Sequence, residues 1–130
     1  PVSSLDVFPT AVTAAGLRIP SDRAYDGQDL VAQVRAVRPE AERRLVWRST
    51  PLRSVRQGDW KYHRDFDGNE HLYNLRTDPK EAVNLAAKEP QRIAALKAIY
   101  EDWESDKAKP AWPGRFTEFD FGGRHFKFAP

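Results

Sequence analysis

The run Trp60-Lys61-Tyr62-His63-Arg64-Asp65-Phe66, then Asp67-Gly68-Asn69, then Glu70-His71-Leu72-Tyr73-Asn74-Leu75, decides the fold. Two segments of period-two patterning flank a short Gly-containing turn, which is how an antiparallel hairpin is written in sequence. Trp60, Tyr62 and Phe66 fall on one face, and Lys61, His63 and Asp65 on the other. The same period extends upstream through Leu52–Gln57 and Arg44–Ser49, with Gly58-Asp59 and Thr50-Pro51 as the turns. The prediction is a four-stranded antiparallel meander with one apolar face and one wet face.

Downstream, the period changes to helical. Residues 90–107 place Ile93, Leu96, Ile99 or Tyr100, and Trp103 on one stripe, with Pro110 as the stop. That stripe suits the aromatic face of the meander, so the expected class is α+β: a four-stranded antiparallel sheet packed against a long C-terminal helix. Between sheet and helix lies Asp78-Pro79-Lys80-Glu81-Ala82-Val83-Asn84-Leu85. Asp78 suits an N-cap, Pro79 a first helical position and Glu81 the third position of a capping box, which predicts a short helix there. The tail, 111–130, is rich in Phe, Gly and Pro. It is expected to add an edge strand around 116–121 or 124–128, or to wrap a partner.

Upstream, Leu5, Phe8, Val12 and Ala15 recur at helical spacing, which predicts a helix over 3–16 capped by Asp6 and stopped by Gly16. A loop follows to Gly27. A short helix over 29–37 has Leu30, Val31 and Val34 as its apolar face. The domain organisation expected is 1–37, 38–112 and a tail over 113–130.

Composition narrows the function. The 130 residues carry no cysteine, which removes disulfides, thiolate metal sites and a thiol nucleophile. A net charge of +2, from 21 basic and 19 acidic residues, gives no basic footprint for nucleic acid. Arg43, Arg44, Arg48, Arg53 and Arg56 interleave with aromatics, but the Gly-aromatic signature of an RNA-binding sheet is missing. No apolar run approaches the length of a membrane helix, so neither nucleic acid nor membrane is expected as a partner.

His63, His71 and His125 are the candidate bases or ligands. His63 and His71 can face each other across the hairpin, but two histidines fall short of a metal site. Solvent-facing strand positions account for them, and cation ligation by Asp65, Asp67 and Glu70 is likewise weaker than their ordinary place at a hairpin tip.

Four blocks, in order, resemble the C-terminal region of the type I sulfatases, the arylsulfatase-like branch of the alkaline phosphatase superfamily. Pro1-Val2-Ser3-Ser4-Leu5-Asp6-Val7-Phe8-Pro9-Thr10, closing at Ala15-Gly16, is similar to the helix that ends the family's large α/β catalytic domain. Asp26-Gly27-Gln28-Asp29-Leu30 is similar to the "D-G-x-D-L" that follows it. Val46-Trp47-Arg48 and Val55-Arg56-Gln57-Gly58-Asp59-Trp60-Lys61-Tyr62 resemble its next strands, and the block with Asp78, Pro79, Glu81 and Asn84 comes last.

The resemblance implies sulfate-ester hydrolysis by the parent enzyme. A formylglycine made from Cys or Ser in "C/S-x-P-S-R" is the nucleophile, a divalent cation (calcium or similar) polarises the sulfate, and Lys and His stabilise charge. The metal motifs, the catalytic Lys segment and the nucleophile motif are absent from this sequence, so no catalytic residue and no metal ligand is assigned to it. Ser49-Thr50-Pro51-Leu52-Arg53 imitates the nucleophile motif but has Leu where the motif has Ser, and turn chemistry explains Pro51. The implied partner is the missing N-terminal catalytic domain. The apolar stripe over 5–15 adds an expectation of self-association when that domain is absent.

Trp47 and Arg48 are the substrate-pocket candidates under this resemblance: Trp47 to stack on a ring, Arg48 to meet an anionic group. Against this stands the plainer reading of a core Trp and an ion-paired Arg. Two other classes remain open. One is an independent binding or scaffolding module, and the other is the C-terminal part of a related phosphonate or phosphate monoester hydrolase.

Overall fold

A computed structural model describes residues 1–35, 43–49, 51–109, 111, 117–121 and 124–128. The chain divides into two compact units, Pro1–Arg43 and Arg44–Pro130.

The first unit opens with a 3-10 turn, Ser4–Asp6, that leads into α1, Val7–Ala14. Gly16 closes this segment at φ +73°, a left-handed conformation that glycine adopts without steric cost. Asp6 does not cap α1 with its side chain, contrary to expectation. Its carboxylate turns inward instead and is fully buried. There it accepts from the Ser3 N–H at 2.7 Å, the Gln28 N–H at 2.9 Å and both terminal nitrogens of Arg43, with Nη1 at 2.7 Å. Arg43 also donates to the Pro1 carbonyl at 3.1 Å. This buried pair ties three separated segments of the unit together, and the guanidinium hydrogen bonds hold the Asp6 carboxyl well below the usual aspartate range.

The Asp26-Gly27-Gln28-Asp29-Leu30 block explains itself physically. A Cβ on Gly27 would lie 2.0 Å from the Leu5 carbonyl oxygen, so only glycine permits this approach. Asp29 caps α2, Leu30–Arg35, by accepting from the N–H groups of Val31 at 2.9 Å and Ala32 at 3.3 Å. The expected extension of this helix to residue 37 lies outside the described residues.

The second unit contains the predicted meander: β1 Arg44–Ser49, β2 Leu52–Gln57, β3 Trp60–Arg64 and β4 Glu70–Asn74, antiparallel in the order β1-β2-β3-β4. Helix α3, Pro90–Ser105, covers one face. The core is Val55, Tyr62 and Leu72 from the sheet against Ile93, Leu96 and Tyr100 from the helix, with Ile99 and Trp103 at its margin. Pro90 starts α3 where its missing N–H costs nothing. The predicted stop at Pro110 lies outside the described residues. The architecture is the α+β sheet-and-helix unit read from the sequence, with helices N-terminal to it.

Two further local expectations need correcting. No short helix follows Asp78. Glu81 takes φ +55°, which breaks helical continuity, and its side chain goes to Lys61 rather than back to a cap. The Asp78 carboxylate instead accepts from the N–H groups of Ala82 at 3.1 Å and Val83 at 2.9 Å, closing a loop. The tail adds no edge to the meander either. β5, Thr117–Phe121, and β6, Arg124–Phe128, pair with each other as a separate two-stranded sheet.

Candidate functional site

The ladder register sorts the sheet into rows. Val46, Val55, Tyr62 and Leu72 are mutual partners across all four strands and form the row under α3. The next row, Trp47, Ser54, His63 and His71, therefore faces away from the helix. The row after that, Arg48, Arg53, Arg64 and Glu70, faces the helix again. Trp47 and Arg48 are thus neighbours in sequence that the structure sends to opposite faces.

On the open face, Trp47 is 46% exposed and borders a cavity of about 310 Å³. Ser49, Leu52, Arg53, Ser54, Lys61 and His63 complete its wall, which is mostly apolar. His63 Nδ1 lies 3.1 Å from the Ser54 hydroxyl, and Nε2 has no hydrogen-bond partner among the described residues. Burial, Lys61 and the neighbouring His71 hold His63 below the usual histidine range, so it is neutral at pH 7. His71 is fully engaged. With Nε2–H donating to Asp65 at 3.1 Å, Nδ1 is left to accept from the Tyr73 hydroxyl and the Asn84 amide, both at 3.3 Å. Asp65 is held to about 2: burial raises it, but bonds from Asn69, His71 and the Asp67 N–H outweigh that.

This arrangement offers groups for binding. Trp47 offers a flat apolar face and neutral His63 a free ring nitrogen beside it. Ser54 and His63 form a pair, but no carboxylate orients His63, so the relay of a nucleophilic serine is incomplete among the described residues. The two histidine rings stand 6.0 Å apart, and no group of three His, Asp or Glu among the described residues is placed to hold a metal ion. The donors here do not fit a divalent-cation site, because both nitrogens of His71 are already committed.

Arg48, on the helix side, donates to Glu104 at 3.2 Å and to the Ala108 carbonyl at 2.9 Å, and lies 5.9 Å from the Trp103 ring centre. It clamps the end of α3 to β1. Ser49 also lines the cavity, at the end of β1. The Asp78 block serves the far edge of the sheet. Asn84 Oδ1 accepts from the Leu72 N–H at 3.0 Å and the Ala86 N–H at 2.9 Å, and its Nδ2 donates to the Glu70 carbonyl at 3.1 Å. Together with the Leu85 N–H, which donates to the Leu72 carbonyl at 2.8 Å, this side chain stands in for a fifth strand along β4. Pro79 lies in the preceding turn, and Glu81 bonds Lys61 at 2.7 Å, anchoring the loop to the open face.

The Ser54–His63 pair and the cavity have no local signature in the sequence. Both follow from the register, which the turn lengths encode: Trp47, Ser54 and His63 are far apart in sequence but directly opposed in the ladder.

No protein-family model matches the chain. It is 35% identical over 91 residues to the choline-sulfatase of Rhizobium meliloti (strain 1021), a match covering 66% of this chain. It is 33% identical to the Delta 4,5-hexuronate-2-O-sulfatase of Bacteroides thetaiotaomicron in a match that covers 77% of this chain. This chain is homologous to the sulfatases. The solved structure of a 2-O GAG sulfatase agrees, with a TM-score of 0.61 and 28% identity over 77% of this chain. The sulfatase homology covers a region only: the chain spans 18% and 23% of the two curated relatives and 24% of the solved structure.

Proposed function

We propose that this chain is the C-terminal subdomain of a sulfuric ester hydrolase. In that role its sheet-and-helix unit buttresses the catalytic domain, and its open face walls the substrate pocket. The observation that supports the reading is the Trp47 cavity, the exposed apolar recess on a sheet whose other face is closed by α3. Trp47 would stack on the organic part of the ester, and His63 Nε2 would hydrogen-bond it. The helix over Val7–Ala14, with Phe8 46% exposed, would pack within the large domain. The nucleophile and the divalent cation belong to that domain, and none of this chain's residues is assigned to the bond-breaking step.

Steady-state kinetics on the whole protein test this. Trp47→Ala is expected to raise KM for a sulfate ester about tenfold and to leave kcat within twofold, the pattern of lost uniform binding. Unchanged kinetics, or a loss confined to kcat, would remove Trp47 from the pocket wall.

A further inference from the structure

The row Arg48, Arg53, Arg64, Glu70 on the helix side places three guanidinium side chains next to one another across neighbouring strands. Like charges directly opposed in a ladder repel. The two ends of the row are neutralised. Arg48 has Glu104, and Glu70 is shared by Lys97 at 2.7 Å and the Tyr62 hydroxyl at 3.0 Å. The middle pair has no salt bridge of its own, although Arg64 lies opposite Glu70 in the ladder and its charge helps to lower that carboxyl. Among the described residues neither Arg53 nor Arg64 makes a hydrogen bond or an ion pair, although the two are direct ladder partners.

Both are nevertheless held in place. The Arg53 guanidinium lies 4.9 Å from the Tyr100 ring centre. The Arg64 guanidinium lies beneath Gly68, where an added Cβ would come within 3.3 Å of Nη2. The two open onto a mainly polar cavity of about 400 Å³, walled also by Lys97, Tyr62, Tyr100 and the carboxylates Glu70 and Glu101. Lys97 spends one of its three donors on Glu70 and keeps the others.

We propose that Arg53, Arg64 and Lys97 form a binding site for a tetrahedral oxyanion, a sulfuryl or phosphoryl group, on the helix side of the sheet, the face opposite Trp47. Two planar forks and an ammonium match the tetrahedral oxygens, and the anion relieves the repulsion of the Arg pair. The volume lies within the range of small-molecule sites, with room for more than the anion alone. The group can therefore arrive as a free ion or as an ester on a larger molecule. The proposal does not rest on the hydrolase reading.

The test is calorimetric titration of the 130-residue chain at constant ionic strength, first with sodium sulfate against sodium chloride, then with a monosulfated disaccharide. Sulfate is expected to bind where chloride does not. Arg53→Gln and Arg64→Gln should each weaken it by about tenfold or more, as expected for a lost charge-assisted bond. Arg56→Gln, on the open face, should bind like the wild type. A disaccharide that binds more tightly than sulfate, and loses that with Arg64→Gln, identifies an ester as the natural source, whereas equal or weaker binding identifies the free ion. The melting temperature of ligand-free Arg64→Gln should match or exceed the wild type, because a repulsion has been removed. Equal response to chloride and sulfate, full binding by both Gln variants, or a clear loss of stability in ligand-free Arg64→Gln would overturn the proposal.

Discussion

Replacing Asn84 with Ala isolates the role of the Asp78–Asn84 block. The Leu72 N–H points out of the last strand of the meander and finds the Asn84 Oδ1 at 3.0 Å. Leu72 is fully buried, so water cannot easily replace that acceptor. An unsatisfied buried donor costs about 1–3 kcal/mol. The Glu70 carbonyl and the Ala86 N–H also lose partners, at 3.1 and 2.9 Å, but both lie near solvent and add only about 0.5 kcal/mol each. The expected loss is therefore about 2–4 kcal/mol, or roughly a 10 °C fall in melting temperature for a domain of this size. Urea unfolding measures the energy, and amide hydrogen exchange measures the mechanism: the Leu72 amide should lose protection while the Val55 amide loses only the global share. A stability loss below about 0.5 kcal/mol, with Leu72 protection unchanged, would refute the idea that this side chain substitutes for a strand.

Asp6→Asn should cost about 3–5 kcal/mol, because it leaves Arg43 buried opposite a neutral group. In the wild type, the Asp6 contribution is complete above the ordinary aspartate range and is lost as the pH falls through it toward the depressed folded-state value. Asp6→Asn should flatten that acid limb of the stability curve. Gly27→Ala should destabilise by about 1–3 kcal/mol, since its Cβ would meet the Leu5 carbonyl and force backbone apart from backbone; thermal unfolding checks this. His63 should titrate by NMR below the usual histidine midpoint, and Lys61→Met should move that midpoint upward by removing a nearby positive charge. Because the unfolded chain takes up this proton first, His63 contributes a fall in stability as pH drops through the ordinary histidine value, levelling off below the folded one.

The meander and its helix were legible in the sequence because period, turn chemistry and apolar stripe agree on the same answer. The strands begin where Arg44, Leu52, Trp60 and Glu70 predict, and Ile93, Leu96 and Tyr100 are the buried face of α3. The loop after Asp78 was misread because Asp, Pro and Glu at those spacings also satisfy a capping box. What decides between the two is Lys61, twenty positions upstream, which draws Glu81 to the sheet. Asp6 was misread for the same reason: its partner, Arg43, is distant in sequence. Trp47 is a pocket candidate through the sulfatase resemblance, whereas strand chemistry alone reads it as core. Its separation from Arg48 and its company with Ser54 and His63 come from strand alternation and register, which pairwise motif matching does not express. The unpaired Arg53–Arg64 couple stayed hidden for the same reason, since a row across three strands leaves no local signature.

The measurement that tests the central claim most directly is sulfate release from a sulfate ester by the whole protein and, in parallel, by this chain alone. The account predicts turnover by the whole protein and none by the 130-residue chain. Turnover by the chain alone, or a whole protein that cleaves phosphate or phosphonate monoesters and releases no sulfate, would contradict it.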